Sequence, residues 1–118
     1  MSGCPLDYSL CDRTVTIYRR QGEQIIRQVV ENCYLSRQET QTSSVSGRRE
    51  TQAFMLIMPG KVQRVFPGDR VYDGVGPEIS LADWIGFLPV KVPGLCQVSY
   101  AQPCYWDGEI CHVEAGRR

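Results

Sequence analysis

The chain has 118 residues, 13 Lys plus Arg against 13 Asp plus Glu, and six cysteines. That is the length of one domain with a modest core of its own, and a formal net charge of zero excludes the global positive field that would draw it to nucleic acid or anionic lipid. The sequence opens with no basic segment followed by an apolar run, and no window approaches a membrane span, so the expectation is a soluble protein not exported by a cleaved signal.

Residues 1–11 read as an N-terminal lead. T-V-T-I-Y-R-R (14–20) alternates with a period of two, the pattern of a half-buried strand, and Gln21-Gly22 turns it. The run from Ile25 to Thr40 is rich in β-branched residues. Its apolar pairs Ile25-Ile26 and Val29-Val30 also fit a helix, but no capping signal precedes Ile25, and Asn32, Cys33, Tyr34 and Ser36 are indifferent helix formers, which favours a long, bent strand. Q-T-S-S-V-S-G-R-R-E (41–50) holds almost nothing that can be buried and reads as a mobile loop. A-F-M-L-I-M-P (53–59) is apolar on both faces and reads as the core strand, covered on two sides and ended by Pro59-Gly60.

Pro67-Gly68 suits the centre of a type II turn and Asp73-Gly74 a second turn, leaving Arg70 to Tyr72 as a short strand between them. The best helix signal spans 80–88. Ser80 and Asp83 form a capping box, and Leu81, Trp84, Ile85 and Leu88 fall on one face before Pro89. Residues 91–106 return to strand, with Pro103 marking a bulge or an edge, and Asp107-Gly108 joins this run to Glu109–Glu114 as a hairpin. The fold class is therefore mainly β, a single domain over 1–118 built as a small barrel or sandwich of about six strands with one short helix.

The stretch C-Y-W-D-G-E-I-C-H (104–112) carries two thiols and the chain's single histidine, the raw material of a zinc site or a cysteine nucleophile. A type I′ turn at Asp107-Gly108 pairs Trp106 with Glu109, Tyr105 with Ile110 and Cys104 with Cys111, and turns His112 to the opposite face. On that register neither site can assemble, and hairpin packing is the reading. Nothing in the chain supplies a route to an oxidising compartment, so Cys4, Cys11, Cys33, Cys96, Cys104 and Cys111, which also lack C-x-x-C spacing, are read as reduced, small apolar side chains. The glycine-rich stretch 68–76 lacks a phosphate-binding pattern, and Asp69, Asp73 and Asp83 sit at turn or cap positions. No catalytic residue, cofactor or metal is assigned.

Three basic doublets, Arg19-Arg20, Arg48-Arg49 and Arg117-Arg118, read as solvated surface unless a partner meets them. Arg48 and Arg49 are the expected anchors if the polar loop docks. Trp84 is assigned to the core, while Phe87 stays open between core and partner anchor. The candidate partner-binding residues are thus Arg48, Arg49 and Phe87.

The strings F-P-G-D-R-V-Y-D-G-V-G-P-E-I (66–79), L-A-D-W-I-G-F-L-P-V-K-V-P-G-L (81–95) and Y-W-D-G-E-I-C-H-V-E-A-G (105–116), after D-R-T-V-T-I-Y (12–18), R-Q-V-V-E-N-C-Y-L (27–35) and F-M-L-I-M-P (54–59), resemble a family of small prophage proteins of Gram-positive bacteria. That family is similar in layout to the minor capsid and head-tail connector proteins of tailed phages. The resemblance runs from Asp12 to Gly116. It implies a structural virion-assembly protein with no enzymatic activity, a monomer or weak associate alone that joins portal, capsid or tail components as a ring, found in the host cytoplasm during assembly and then in the virion. Membrane and sequence-specific nucleic acid are not expected partners. Two other classes stand beside this reading: a small-ligand or regulatory binding module of β-barrel type, and a cysteine hydrolase.

Overall fold

The computed structural model describes residues 8–44, 47–89 and 91–117, with side chains outside residues 38–52. The elements are β1 (Arg13–Gln21), β2 (Gln24–Ser44), β3 (Gly47–Pro59), β4 (Arg70–Asp73), α1 (Leu81–Trp84), β5 (Leu95–Gln97), β6 (Tyr100–Trp106) and β7 (Glu109–Arg117). All seven strands belong to one antiparallel sheet in the order β5-β4-β1-β2-β3-β7-β6. The sheet does not close into a barrel, since no ladder joins β5 to β6. It folds over on itself instead, and the mainly β expectation of a sandwich or barrel holds in its open, sandwich-like form.

The fold-over starts in β2. Asn32 takes a left-handed backbone conformation with φ of 59°, which the short amide side chain tolerates better than a β-branched one would. The register against β1 slips here, from Val15↔Val30 to Arg13↔Cys33. The first part of β2 pairs with β1 and the second with β3, so the long, bent strand read from the sequence spans both halves. Val15, Ile17, Val30, Cys33, Leu35, Phe54, Leu56, Met58, Val71, Val113 and Ala115 meet inside the fold as one buried cluster. At one corner Val98 N–H donates to the Asp69 carbonyl (2.8 Å) and Ser99 N–H to the Gly116 carbonyl (2.8 Å), so two residues carry the chain from one half to the other. The single strand expected over 91–106 is for this reason two, β5 and β6, at opposite edges of the sheet.

Residues 53–59 do form a strand, but it is not the one covered on both sides. Phe54, Leu56 and Met58 are buried while Met55 and Ile57 are only half-buried. β1 takes the doubly covered place: Val15 to Tyr18 are all buried. Val15 and Ile17 face the main cluster. On the other face Thr16 and Tyr18 are buried by residues 74–95, where Phe87, Leu95, Trp84, Ile79 and Val92 gather round Tyr18. Polar side chains tie that covering segment down. Thr16 Oγ1 donates to the Gly74 carbonyl (2.7 Å) and accepts from Gly76 N–H (2.9 Å), and Tyr18 Oη donates to the Pro77 carbonyl (2.6 Å). A threonine and a tyrosine read as outward-facing by alternation are thus hydrogen-bonded interior residues, as burial requires of polar groups.

The turn assignments match the structure. Asp69 N–H donates to the Phe66 carbonyl (3.1 Å) across Pro67-Gly68, with Gly68 at φ of 94°. Asp107 and Gly108 have φ of 53° and 81°, the two positive values of a type I′ hairpin turn. The Ser80–Asp83 capping box is present. The helix is shorter than expected, one turn over Leu81–Trp84, because Arg70 enters from β4 and its Nη1 donates to the carbonyls of both Trp84 and Phe87 (2.6 Å each). Those carbonyls are satisfied without a further helical turn. Ile85, counted with the apolar face, is left 80% exposed.

Phe87 is buried against Tyr18, ring centroids 4.7 Å apart at 69°. This corrects its candidacy as a partner anchor. Its place in the core follows from the early end of α1, which turns residue 87 inward.

A methyl group added at Gly76 would collide with the Tyr18 hydroxyl, whereas one added at Gly86 meets nothing. Gly76→Ala should therefore cost about 1–3 kcal/mol, as overpacking does, and Gly86→Ala should stay within about 0.5 kcal/mol. Urea unfolding of both variants checks this; equal midpoints would mean that residues 74–77 do not pack on β1 as described.

Candidate functional site

The most unusual feature grows out of β2 and β3. The β2–β3 ladder continues through seven further pairs, from Gln38↔Ala53 to Ser44↔Gly47, after the last rung at which β7 is present, Phe54↔Arg117. β1 stops earlier still, at Cys33. The two strands beyond Arg37 and Phe54 pair only with each other among the described residues, as a ribbon about 23 Å long at 3.3 Å per residue. The Cα radius of gyration, 15.3 Å, exceeds the ~13.5 Å expected for a compact domain of this length, in keeping with such a projection.

This corrects the reading of residues 41–50 as a loop. Gln41↔Glu50, Thr42↔Arg49 and Ser43↔Arg48 are register pairs, and only residues 45 and 46 of the segment lie outside the described residues. A lack of buriable side chains does not prevent pairing: threonine and the polar β-formers satisfy their backbone groups in a ladder without needing a core. Arg48 and Arg49 therefore sit on the ribbon near its tip. Their side chains, and with them the anchoring role expected of them, fall outside the description.

The 104–112 hairpin is present, with a different register. Trp106↔Glu109 and Tyr105↔Ile110 pair as expected, but a bulge between Cys104 and Tyr105 makes His112, not Cys111, the partner of Cys104. Cys111 is the extra residue. Its carbonyl accepts from Gly60 N–H (3.0 Å) and it is disulfide-bonded, so the reading of opposed free thiols at 104 and 111 is overturned. Cys11, Cys33, Cys96 and Cys104 are thiols; Cys4 lies outside the described residues. Cysteine count alone could not reveal the bond, since six cysteines permit many pairings and a fully reduced state.

The corrected register puts Cys104 and His112 at one ladder position, reversing the argument that they lie on opposite faces. The imidazole there is already engaged. His112 is buried, its Nδ1 shares a 2.8 Å hydrogen bond with the Tyr8 hydroxyl, and the two rings meet edge to face. Burial, with the Glu114 carboxylate adding to it, pushes the Cys104 thiol above its usual range, away from the thiolate a nucleophile needs. Tyr8 is thus fastened to β7 at His112. Beside it, Tyr8, Cys11, Glu31, Asn32, Pro59 and Arg64 line an open cleft of about 550 Å³ at the β2 bend. Among the described residues no three His, Cys, Asp or Glu side chains come together as a metal set.

The arginines read as solvated surface are divided by the fold. Arg19 is a structural cation: Nε and Nη2 bind both oxygens of buried Asp69 (2.9 and 2.8 Å) and the guanidinium lies 4.4 Å above the Phe66 ring. Its neighbour Arg20 is exposed and, among the described residues, bonds to the Gly22 carbonyl (3.0 Å). Arg70, isolated in sequence, is 8% exposed and stacks 3.7 Å from the Trp84 ring. Arg19, Arg20, Phe66, Pro67, Gly68, Asp69 and Trp84 line a second open cleft of about 440 Å³. No sequence signal marks this cleft, because its residues come from three segments that meet only when β4 pairs with β1.

Comparison with protein-family models, with curated proteins and with solved structures finds no match. The functional argument therefore rests on geometry and on the residues themselves.

Burial holds the His112 imidazole below its ordinary pKa of 6.5, against the opposing pull of Glu114. The unfolded chain then takes up the proton first, so this contribution to stability is complete above the unfolded value and declines as pH falls from there toward the folded one. Wild type should lose stability between about pH 7 and pH 5, and His112→Gln should lose less over the same interval. Urea titrations at both pH values decide; equal losses would mean that His112 is not the group responsible.

Proposed function

We infer that the protein is a structural component of a tailed-phage or prophage particle, a minor capsid or head-tail connector protein that engages its neighbours through the β2–β3 ribbon. The observation that carries this reading is the ribbon itself. A two-stranded hairpin with no sheet beside it is marginal in water, and residues 38–53 offer only Val45 and Ala53 as apolar side chains. Such an element adds nothing to the stability of its own core. Its unpaired outer edges present backbone donors and acceptors that a neighbouring chain can take up by strand addition or by gripping the ribbon from both sides.

The remaining features support the same role. A net charge of zero suits a part that packs among other proteins rather than one that collects an ionic substrate. The resemblance over residues 12–116 points to portal, capsid or tail components as the neighbours, and to a ring in the particle formed from chains that associate weakly when alone. A ligand-binding module has less support, as both clefts described above are open to solvent and lined partly by charge, unlike the enclosed apolar pockets that hold small molecules. A cysteine hydrolase has less still, with His112 engaged by Tyr8.

The test is co-expression with the portal and major capsid proteins that this reading expects to be encoded beside it. Wild type should co-purify with one of them and show ring density by electron microscopy. A variant with residues 38–53 replaced by Asp-Gly, which closes the hairpin directly between Arg37 and Phe54, should keep its circular dichroism and thermal transition while losing co-purification. Unchanged association of the shortened chain, or flanking genes unrelated to virion structure, would overturn the reading.

A further inference from the structure

The hairpin tip between β6 and β7 is a protrusion that the chain leaves uncovered. Tyr105 is 63% exposed and Trp106 51% exposed, and the turn between Trp106 and Glu109 adds the exposed carboxylate of Asp107. Folding gains nothing from two aromatic rings in water, and adjacent strand residues turn to opposite faces, so neither ring shelters the other.

The cleft beside Arg19 has the complementary character. Its walls include Phe66, 40% exposed, and Trp84. Each ring has a guanidinium against it, Arg19 at 4.4 Å from Phe66 and Arg70 at 3.7 Å from Trp84, and this backing holds both rings in place before anything binds. The charge is unbalanced. Asp69 is occupied by Arg19, whereas exposed Arg20 on the cleft wall has no carboxylate partner among the described residues; Arg70, which backs Trp84, is buried and bonds to carbonyls. The cleft thus joins two preorganised aromatic surfaces to the positive charge of Arg20, and the tip joins two exposed aromatic rings to the negative charge of Asp107. Within one molecule the tip does not occupy the cleft, since its rings are in solvent.

We propose that this cleft receives the Tyr105–Glu109 hairpin tip of a second copy of the chain, with the Trp106 indole entering between Phe66 and Trp84 and the Asp107 carboxylate meeting Arg20. The contact uses a surface distinct from the ribbon, and it stands or falls independently of the virion reading. A knob of this size buries far less than the ~1,000 Å² of a stable interface, so association is weak in dilute solution and gains strength only where several contacts act together.

Sedimentation equilibrium up to about 1 mM protein, where contacts this weak become populated, provides the test. Wild type should show a mass that rises with concentration. Trp106→Ala, which spoils the tip, and Arg20→Glu, which spoils the cleft, should each sediment as monomers with an unchanged thermal transition. Mixed together they should associate again, because the intact cleft of the first variant can receive the intact tip of the second. Asp107→Asn, which suits the turn's positive φ, should weaken wild-type association at least threefold. A wild type that stays monomeric, or two monomeric variants whose mixture does not associate, would overturn the proposal. So would Trp106-dependent binding to phosphatidylcholine vesicles without self-association, which would make the tip a membrane-contacting element instead.

Discussion

The bend of β2 at Asn32 is the constraint on which the architecture depends. One strand pairs with β1 before the bend and with β3 after it, so the two halves of the sheet share a backbone and do not dock as separate layers. The positive φ at Asn32 and the slip between Val15↔Val30 and Arg13↔Cys33 turn the ladder at this point, and the turn brings Phe54, Leu56 and Val113 over Val15 and Ile17. A straight β2 would leave two half-covered sheets and no closed core. The ribbon is a consequence of the same strand: β2 runs on after the partners on either side of the β2–β3 pair have ended.

Electrostatics reinforce this frame locally rather than globally. With total charge balanced, individual arginines are placed where a carboxylate or a carbonyl awaits them. Asp69 holds Arg19, and Asp73 is shared by Arg13 (2.9 Å) and Arg37 (3.3 Å), which joins the starts of β1 and of the ribbon to the end of β4. Asp69 also accepts from Phe66 N–H (2.9 Å), so one buried carboxylate fixes the Pro67-Gly68 turn and the cation beside it together. Arg70 is the exception. Burial lowers its pKa, and carbonyl oxygens and an indole face stand in for a counter-ion. A cation kept under those terms makes Trp84 both a core residue and a wall of the cleft.

The surfaces left over after this internal accounting share a theme. The ribbon exposes backbone edges, the hairpin tip exposes aromatic rings, and the cleft exposes positive charge between aromatic walls. The ribbon edges and the tip rings lie outside the buried clusters, whereas the cleft shares Arg19, Asp69 and Trp84 with the packing beneath it. Where Cys104 and His112 meet across the β6–β7 ladder, the imidazole is engaged by the Tyr8 hydroxyl, which ties Tyr8 to the hairpin.

The residues by themselves determined everything governed by near neighbours. Pro67-Gly68 and Asp107-Gly108 demanded their turns, Ser80 and Asp83 their cap, and the polar and β-branched run from Ile25 a long strand, because φ preferences and capping bonds act within a few residues. Tertiary structure decided what depends on partners distant in sequence. Alternation alone cannot tell a half-buried strand from β1, whose outer face is covered by a segment some sixty residues on. Counting back from a correct turn fails at Cys104, since the bulge forms where Gly60 takes the Cys111 carbonyl. The polar composition of 41–50 is compatible with a loop or a ribbon, and the choice is set by the register that Tyr34↔Ile57 starts and the ladder then propagates. The Arg19–Arg20 cleft was illegible for the same reason: its charge and its aromatic walls become one site only after β4 lies down beside β1.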